Sequence, residues 1–154
     1  MQNLVRTKAF ISYCHRDARH LARLHVHLAY YKRCGLLDVW DDMKVLPGAI
    51  WREEINKALL CAKVAILLVS ADFLASKFIA ENELPPLLAA ARIDGAIILP
   101  VILSPCRFTD TELSQFQAVN SPSKPIISMS LNDKERIWDK VAETVKDAMN
   151  PSEC

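Results

Sequence analysis

Three short runs of continuous apolar residues constrain the fold of this chain more than any other feature. They cover Ala9 to Ile11, Val64 to Val69 (VAILLV) and Ala96 to Leu103 (AIILPVIL). Because apolar residues follow one another without alternation, each run is typical of a strand that is covered on both faces, as in a parallel sheet. Two weaker candidates, Leu37 to Asp41 and Pro125 to Met129, bring the predicted strands to five.

Stretches with helical periodicity lie between these runs. Asp17 to Arg33 places four apolar side chains on one helix face: Leu21, Leu24, Leu28 and Tyr31. The same periodicity predicts helices over Gly48 to Ala62 and Asp133 to Met149, and a weaker pattern indicates a short helix over Thr111 to Ala118. The alternation predicts an α/β fold: a flavodoxin-like, doubly wound, five-stranded parallel sheet with helices on both faces.

The composition favours one cytoplasmic domain. A chain of 154 residues has the length of about one domain, here 1–154 with a core over about 8–149. With 19 Lys and Arg against 18 Asp and Glu, the net charge of +1 favours neither nucleic acid nor an anionic membrane as a partner. No apolar stretch has the roughly 18 residues of a membrane span, and the apolar stretch near residue 10 is shorter than a signal peptide requires, so we expect a cytoplasmic location.

Several site types are disfavoured by what the sequence lacks. With three glycines it has neither of the glycine-rich signatures of nucleotide-binding loops. The five cysteines form no C-x-x-C pair, so we expect reduced thiols and no zinc site. His20 and His27 share a helix face but lie about 10 Å apart along the axis, too far for one metal ion. We therefore expect no bound metal.

One acidic residue lies at a position where ligands commonly bind in parallel-sheet folds, beyond the carboxyl end of a strand. Pro85 and Pro86 lack amide protons, so the helix through this region is expected to begin near them. Glu83 then lies at a helix N-terminus, where the dipole favours an ionised carboxylate, just beyond the Val64 to Val69 strand. On this pattern alone a simple helix-start acid is the more economical interpretation, and Glu81 is interpreted as a solvated neighbour.

A set of motifs, in their order and spacing, changes that interpretation. FISYCHRD follows Lys8, DVWDD precedes a loop with Leu46-Pro47-Gly48, and WREEI, VAILLVSADFLASKFIAENEL and IILPVIL come after it. From about Lys8 to Met129 the chain resembles a Toll/interleukin receptor (TIR) domain of the bacterial kind. The resemblance implies a five-stranded flavodoxin-like fold. It also implies that NAD is a substrate, because many bacterial and plant members cleave it between nicotinamide and ribose, sometimes cyclising the product.

The resemblance implies a catalytic role for Glu83. Enzymatic members carry a motif of tryptophan, cysteine, two residues, glutamate and leucine, and the corresponding stretch here is Phe78 to Leu84 (FIAENEL). Phenylalanine replaces the tryptophan and the glutamate lies one position further along, so Glu83 is the best match and Glu81 the second. One carboxylate suffices, because nicotinamide leaves without protonation and a carboxylate stabilises the oxocarbenium-like ribose.

Six further side chains are implied to contact the substrate. We expect aromatic walls from Tyr13, Trp51 and Phe78, and contacts to ribose or phosphate from His15, Arg16 and Asp41. The residue pattern leaves core packing open for Trp51 and a turn role open for Asp42.

The resemblance also implies an assembly surface. Val45, Leu46, Pro47 and Gly48 form a loop that contains exposed apolar residues and that, in the family, gates the pocket and joins domains. We therefore expect an NAD glycohydrolase or cyclase that is activated by homotypic self-association, with a filament as one form of assembly, in immune defence or cell-death signalling. A sensor domain elsewhere in a longer protein is a further expected partner. The alternatives are a non-catalytic TIR scaffold and an enzyme that processes free nucleosides.

Overall fold

A parallel sheet of four strands forms the centre of the protein, which is described by a computed structural model over residues 6–42 and 47–151. The strands are β1 (Lys8–Ser12), β2 (Val39–Trp40), β3 (Ala62–Val69) and β4 (Ile97–Ile102). Their order across the sheet is β2-β1-β3-β4, so the chain reverses its direction of winding between β2 and β3. The longest strand, β3, lies between β1 and β4 and is almost wholly buried. A ligand crevice is expected at the carboxyl end of such a reversal.

Within the described residues, five α-helices cover the two faces of the sheet: α1 (Ala18–Arg33), α2 (Trp51–Leu60), α3 (Ala71–Ala75), α4 (Leu84–Asp94) and α5 (Leu131–Met149). Successive strand residues point to opposite sides, so the sheet contributes to two separate cores. Ile11 packs with α1 and α5 in one core, and Phe10 packs with α2, α3 and α4 in the other. This arrangement confirms the predicted α/β fold of flavodoxin-like type.

The prediction of a fifth strand over Pro125 to Met129 is wrong. These residues form a 3₁₀ turn, Ile126–Ser128, that touches the sheet edge through one bond of 3.0 Å from the Ile127 amide to the Leu103 carbonyl. The physical reason is local: Pro125 has no amide proton to donate, and the Ser128 amide donates to the Pro125 carbonyl. The backbone groups that a fifth strand needs are therefore used within the turn.

Helix starts differ from the sequence predictions for identifiable reasons. The second helix begins at Trp51 instead of Gly48, because Gly48 has a φ of 88° and lies outside helical geometry. The last helix begins at Leu131, where the Ser130 hydroxyl accepts a bond from the Asp133 amide and caps the first turn. The predicted helix over Thr111 to Ala118 is reduced to a 3₁₀ turn, Glu112–Gln115.

Within the two described ranges, no helix combines the length and the apolarity needed to cross a membrane.

Candidate functional site

The segment that carries Glu83 is a widened helical turn that runs directly into α4. Ile79–Glu83 is a π-helix, and the Leu84 amide donates to the Ile79 carbonyl five residues earlier. Pro85 and Pro86 follow within the first turn of α4, where their missing amide protons are tolerated. The prediction of a helix start near the two prolines is confirmed, but a helical turn precedes it. Glu83 therefore does not lie at a free helix end, and its side chain caps no backbone amide.

The Glu83 carboxyl group is buried, with 8% of the residue exposed. Burial raises its pKa from 4.5 to about 7, and the nearby negative charge of Asp42 adds to this rise. The Ser12 hydroxyl and the charge of His15 act in the opposite direction and lower the pKa. Loss of solvation is thus the largest cause of the shift in pKa, whereas a position at a helix start predicts an ionised carboxylate. A carboxyl group of this kind exchanges its proton near neutral pH.

Asp42 links Glu83 to the loop that follows β1. The Tyr13 hydroxyl donates to Asp42 Oδ1 at 2.8 Å, and His15 Nε2 contacts Asp42 Oδ2. The rings of Tyr13 and His15 lie 5.5 Å apart, measured between their centroids. Burial and the bond to Asp42 raise the pKa of Tyr13, which stays protonated and keeps its role as the donor.

Tyr13, Asp42 and Glu83 line a small pocket at the carboxyl ends of β1 and β2. The pocket has a volume of about 10 Å³, and its lining consists of Ile11, Tyr13, Trp40, Asp42, Ile55 and Glu83. A cavity of this size holds about one water molecule. The site that the structure describes is therefore a closed one.

Sequence reasoning missed two polar residues of this site. For Asp42 the sequence leaves a turn role open, but in the structure its carboxylate is the acceptor that joins Tyr13 and His15. Ser12 is not among the predicted site residues. Its buried hydroxyl lies beside Glu83, yet it makes no hydrogen bond of normal geometry with any residue in the described part of the chain. The available signal was the position of both residues at the carboxyl ends of neighbouring strands.

Trp51 and Phe78 form an aromatic pair outside the pocket lining. Their ring centroids lie 4.7 Å apart at an interplanar angle of 39°, which joins the start of α2 to the segment before Glu83. Trp51 is 41% exposed, so core packing does not account for it. The pair offers an exposed aromatic surface on which a flat ring can stack.

Two further predicted residues lie apart from the pocket. The Asp41 carboxylate is buried and is held by His25 Nε2 of α1 at 2.7 Å, while its neighbour Asp42 lines the pocket. Arg16 lies exposed in the 3₁₀ turn His15–Asp17. The structure thus brings Tyr13, His15 and Glu83 together, but it does not bring Asp41 and Arg16 into their pocket.

The predicted assembly loop is described only in part. Val45 and Leu46 lie outside the described residues, and Pro47 and Gly48 are exposed ahead of α2. As for metals, over residues 6–42 and 47–151 no three His, Cys, Asp or Glu side chains are grouped to hold an ion.

Comparison with known proteins adds two findings. The model of the family described as "TIR domain" matches residues 9–147 of this chain. An uncharacterized protein of Sinorhizobium fredii, y4lF, is 29% identical over 139 residues, which make up 90% of this chain and 42% of that protein. The chain thus spans less than half the length of this relative.

Proposed function

This chain belongs to the TIR domain family, and we propose that it cleaves NAD between nicotinamide and ribose with Glu83 as the catalytic carboxylate. The observation that carries the proposal is the buried Glu83 carboxyl group, whose pKa is raised to about 7, at the carboxyl end of the sheet. Strongly perturbed ionisable groups in such a place are typical of catalytic sites. NAD-cleaving members occur in this family, which supports the choice of substrate.

The proposed step needs only one acid residue. The bond between C1′ of the ribose and the nicotinamide nitrogen breaks, its electron pair neutralises the pyridinium, and an oxocarbenium-like ribose remains. Water then attacks C1′ and loses a proton, which yields ADP-ribose; attack by the adenine ring instead gives a cyclic product. Ionised Glu83 stabilises the positive charge that develops on the ribose. A cationic ring beside Glu83 favours its ionised form.

The closed pocket supports a second part of the proposal, namely that self-association activates the domain. A volume of about 10 Å³ does not admit a nicotinamide riboside moiety, since small-molecule sites occupy about 300–1,000 Å³. Tyr13 and Asp42 line this pocket, and the Asp42 carboxylate is contacted by both the Tyr13 hydroxyl and His15 Nε2. We propose that homotypic assembly through the segment containing Pro47 and Gly48 rearranges these contacts. The proposed setting is immune defence or cell-death signalling in the cytoplasm.

The same closed pocket favours one alternative, a TIR scaffold without catalytic activity. A scaffold requires only surfaces that join domains, and it needs no opening at Glu83. The two functions differ in a single measurable property, which is the release of nicotinamide by protein that has assembled.

The test measures nicotinamide release from NAD by concentrated or crowded protein, with light scattering to follow assembly. Glu83→Gln removes the charge and keeps the size, and Glu81→Gln is the matched control because its side chain is 61% exposed. We expect wild type and Glu81→Gln to release nicotinamide and assembled Glu83→Gln to lose the activity. An assembled wild type that releases none would favour the scaffold.

A further inference from the structure

A groove between the first turns of α1 and α5 offers far more space than the pocket at Glu83. Its volume is about 920 Å³, against about 10 Å³ at Glu83, and the two share no lining residue. The groove belongs to the layer of α1 and α5, whereas the Glu83 segment packs with the helices of the other layer. Any ligand of the groove is therefore separate from the proposed reaction.

The floor and one rim of this groove are apolar. Trp138 and Ile126 form the floor and are 2% and 0% exposed. Leu131 and Ile127 stand at the rim and are 76% and 45% exposed, which leaves large apolar side chains in solvent. Covering this rim with an apolar group would remove its surface from water.

The other rim carries positive charge. Arg23 is paired with Glu135 through two bonds of 2.7 and 2.9 Å, and His27 Nε2 lies 2.6 Å from the same carboxylate. Arg19 and Lys134 also line the groove, and neither forms an ion pair with a carboxylate within the described ranges. Their positive charges therefore remain without a matching anion.

Arg19 and Lys134 come from different helices, α1 and α5, but their charges influence the same side chain. His20 lies in the same groove, and its pKa is lowered first by burial and then by the charges of Arg19 and Lys134. Among the described residues, the charge that raises the pKa of His20 is that of Asp17, whose carboxylate accepts a bond of 2.5 Å from the Ser70 hydroxyl. The groove thus combines an apolar floor with a positive rim.

We propose that this groove binds a small organic anion. Its apolar ring or chain lies over Trp138 and Leu131, and its single carboxylate, sulfonate or phosphate lies between Arg19 and Lys134. The volume falls within the range of about 300–1,000 Å³ that is typical of small-molecule sites. A second copy of the chain fits less well, because a symmetric contact would bring the same uncompensated cations together.

The test uses two probes that differ by one charged group. 8-Anilinonaphthalene-1-sulfonate is an apolar anion, and N-phenyl-1-naphthylamine is the same molecule without the sulfonate. We expect one sulfonate probe per chain, seen by its fluorescence. The variant Arg19→Gln/Lys134→Gln lacks both cations and should bind the sulfonate probe with about tenfold lower affinity, because charge-assisted hydrogen bonds are lost. Binding of the uncharged probe should stay the same.

Two further variants complete the experiment. Arg107→Gln/Lys57→Gln removes the same charges from exposed positions elsewhere and should leave both probes unaffected. Leu131→Ser removes apolar surface from the rim and should lower the affinity for both probes. Circular dichroism checks that each variant is folded.

Three results would overturn the proposal. The first is equal binding of the sulfonate probe to the wild type and to the variant without the groove cations. The second is equal weakening in the control variant, which would show a general effect of net charge. The third is release of the probe as the protein self-associates in sedimentation runs, which would make a second copy the occupant. None of these readouts depends on NAD cleavage, so they leave the proposed function untouched.

Discussion

Replacing Glu83 with glutamine should stabilise the protein at alkaline pH and have little effect at acid pH. The folded protein holds the pKa of this carboxyl group at about 7, above the value of 4.5 for a solvated group. Below 4.5 the group is protonated in both the folded and unfolded states and has no influence on stability. As the pH rises towards 7, the unfolded chain ionises first, so the free energy of unfolding falls. Above 7 the full penalty of the buried charge is present.

The size of the effect follows from the two pKa values. Each pH unit between 4.5 and about 7 corresponds to about 1.36 kcal/mol, which gives a total of about 3 kcal/mol. Of this total, about 2 kcal/mol develops between pH 5 and pH 8. Glutamine has nearly the same shape and no charge, so it avoids the penalty throughout this range.

Urea unfolding at pH 5 and pH 8, followed by tryptophan fluorescence, measures this difference directly. Glu81→Gln is the control, because its exposed carboxylate stays in solvent on folding. We expect the advantage of Glu83→Gln over the wild type to grow by about 2 kcal/mol from pH 5 to pH 8. An advantage that is equal at the two pH values would refute the reasoning, since it would show that Glu83 is not held in its neutral form by burial.

Four other substitutions test separate parts of the structure. Asp42→Asn removes a negative charge beside Glu83, so the Glu83 carboxyl should titrate below pH 7 in carbon NMR; an unchanged midpoint would contradict the coupling. Trp138→Ala should lower the free energy of unfolding by about 3–5 kcal/mol in urea, because this side chain fills one core. Trp51→Ala should lower it much less, since Trp51 is 41% exposed, and equal losses would contradict the assignment of the two rings. Gly95→Ala should lower it by about 1 kcal/mol, since Gly95 ends α4 with a φ of 71°, and an unchanged midpoint in urea would contradict this role.

The strands of the sheet could be predicted where burial on both faces gives a continuous run of apolar residues. The runs at Val64 to Val69 and Ala96 to Leu103 confirm this, because they match β3 and β4 within one or two residues. The weaker candidate at Pro125 to Met129 is also rich in apolar residues but forms a turn, since hydrogen bonding there depends on Pro125 and on local amides. Apolarity thus located the segments that are buried, and it could not show which of them extend the sheet.

In the candidate site, the sequence predicted the positions of residues that follow a strand end, and it did not predict their contacts. Glu83 could be placed because β3 precedes it and two prolines follow it. The burial of its carboxyl group and the contact between Asp42 and Tyr13 depend on how three strand ends meet, which no local pattern records. His25 shows the same limit, because no local pattern predicts that its side chain reaches the buried Asp41.

The most direct test of the catalytic role of Glu83 is the pH dependence of nicotinamide release from NAD by assembled wild-type protein. The ionised form of Glu83 is the active one in our account, so kcat/KM should rise with pH as this carboxyl group loses its proton, with a midpoint above 4.5. Assembled Glu83→Gln should show no release at any pH. Release by Glu83→Gln at the wild-type rate, or none by the assembled wild type, would contradict the account.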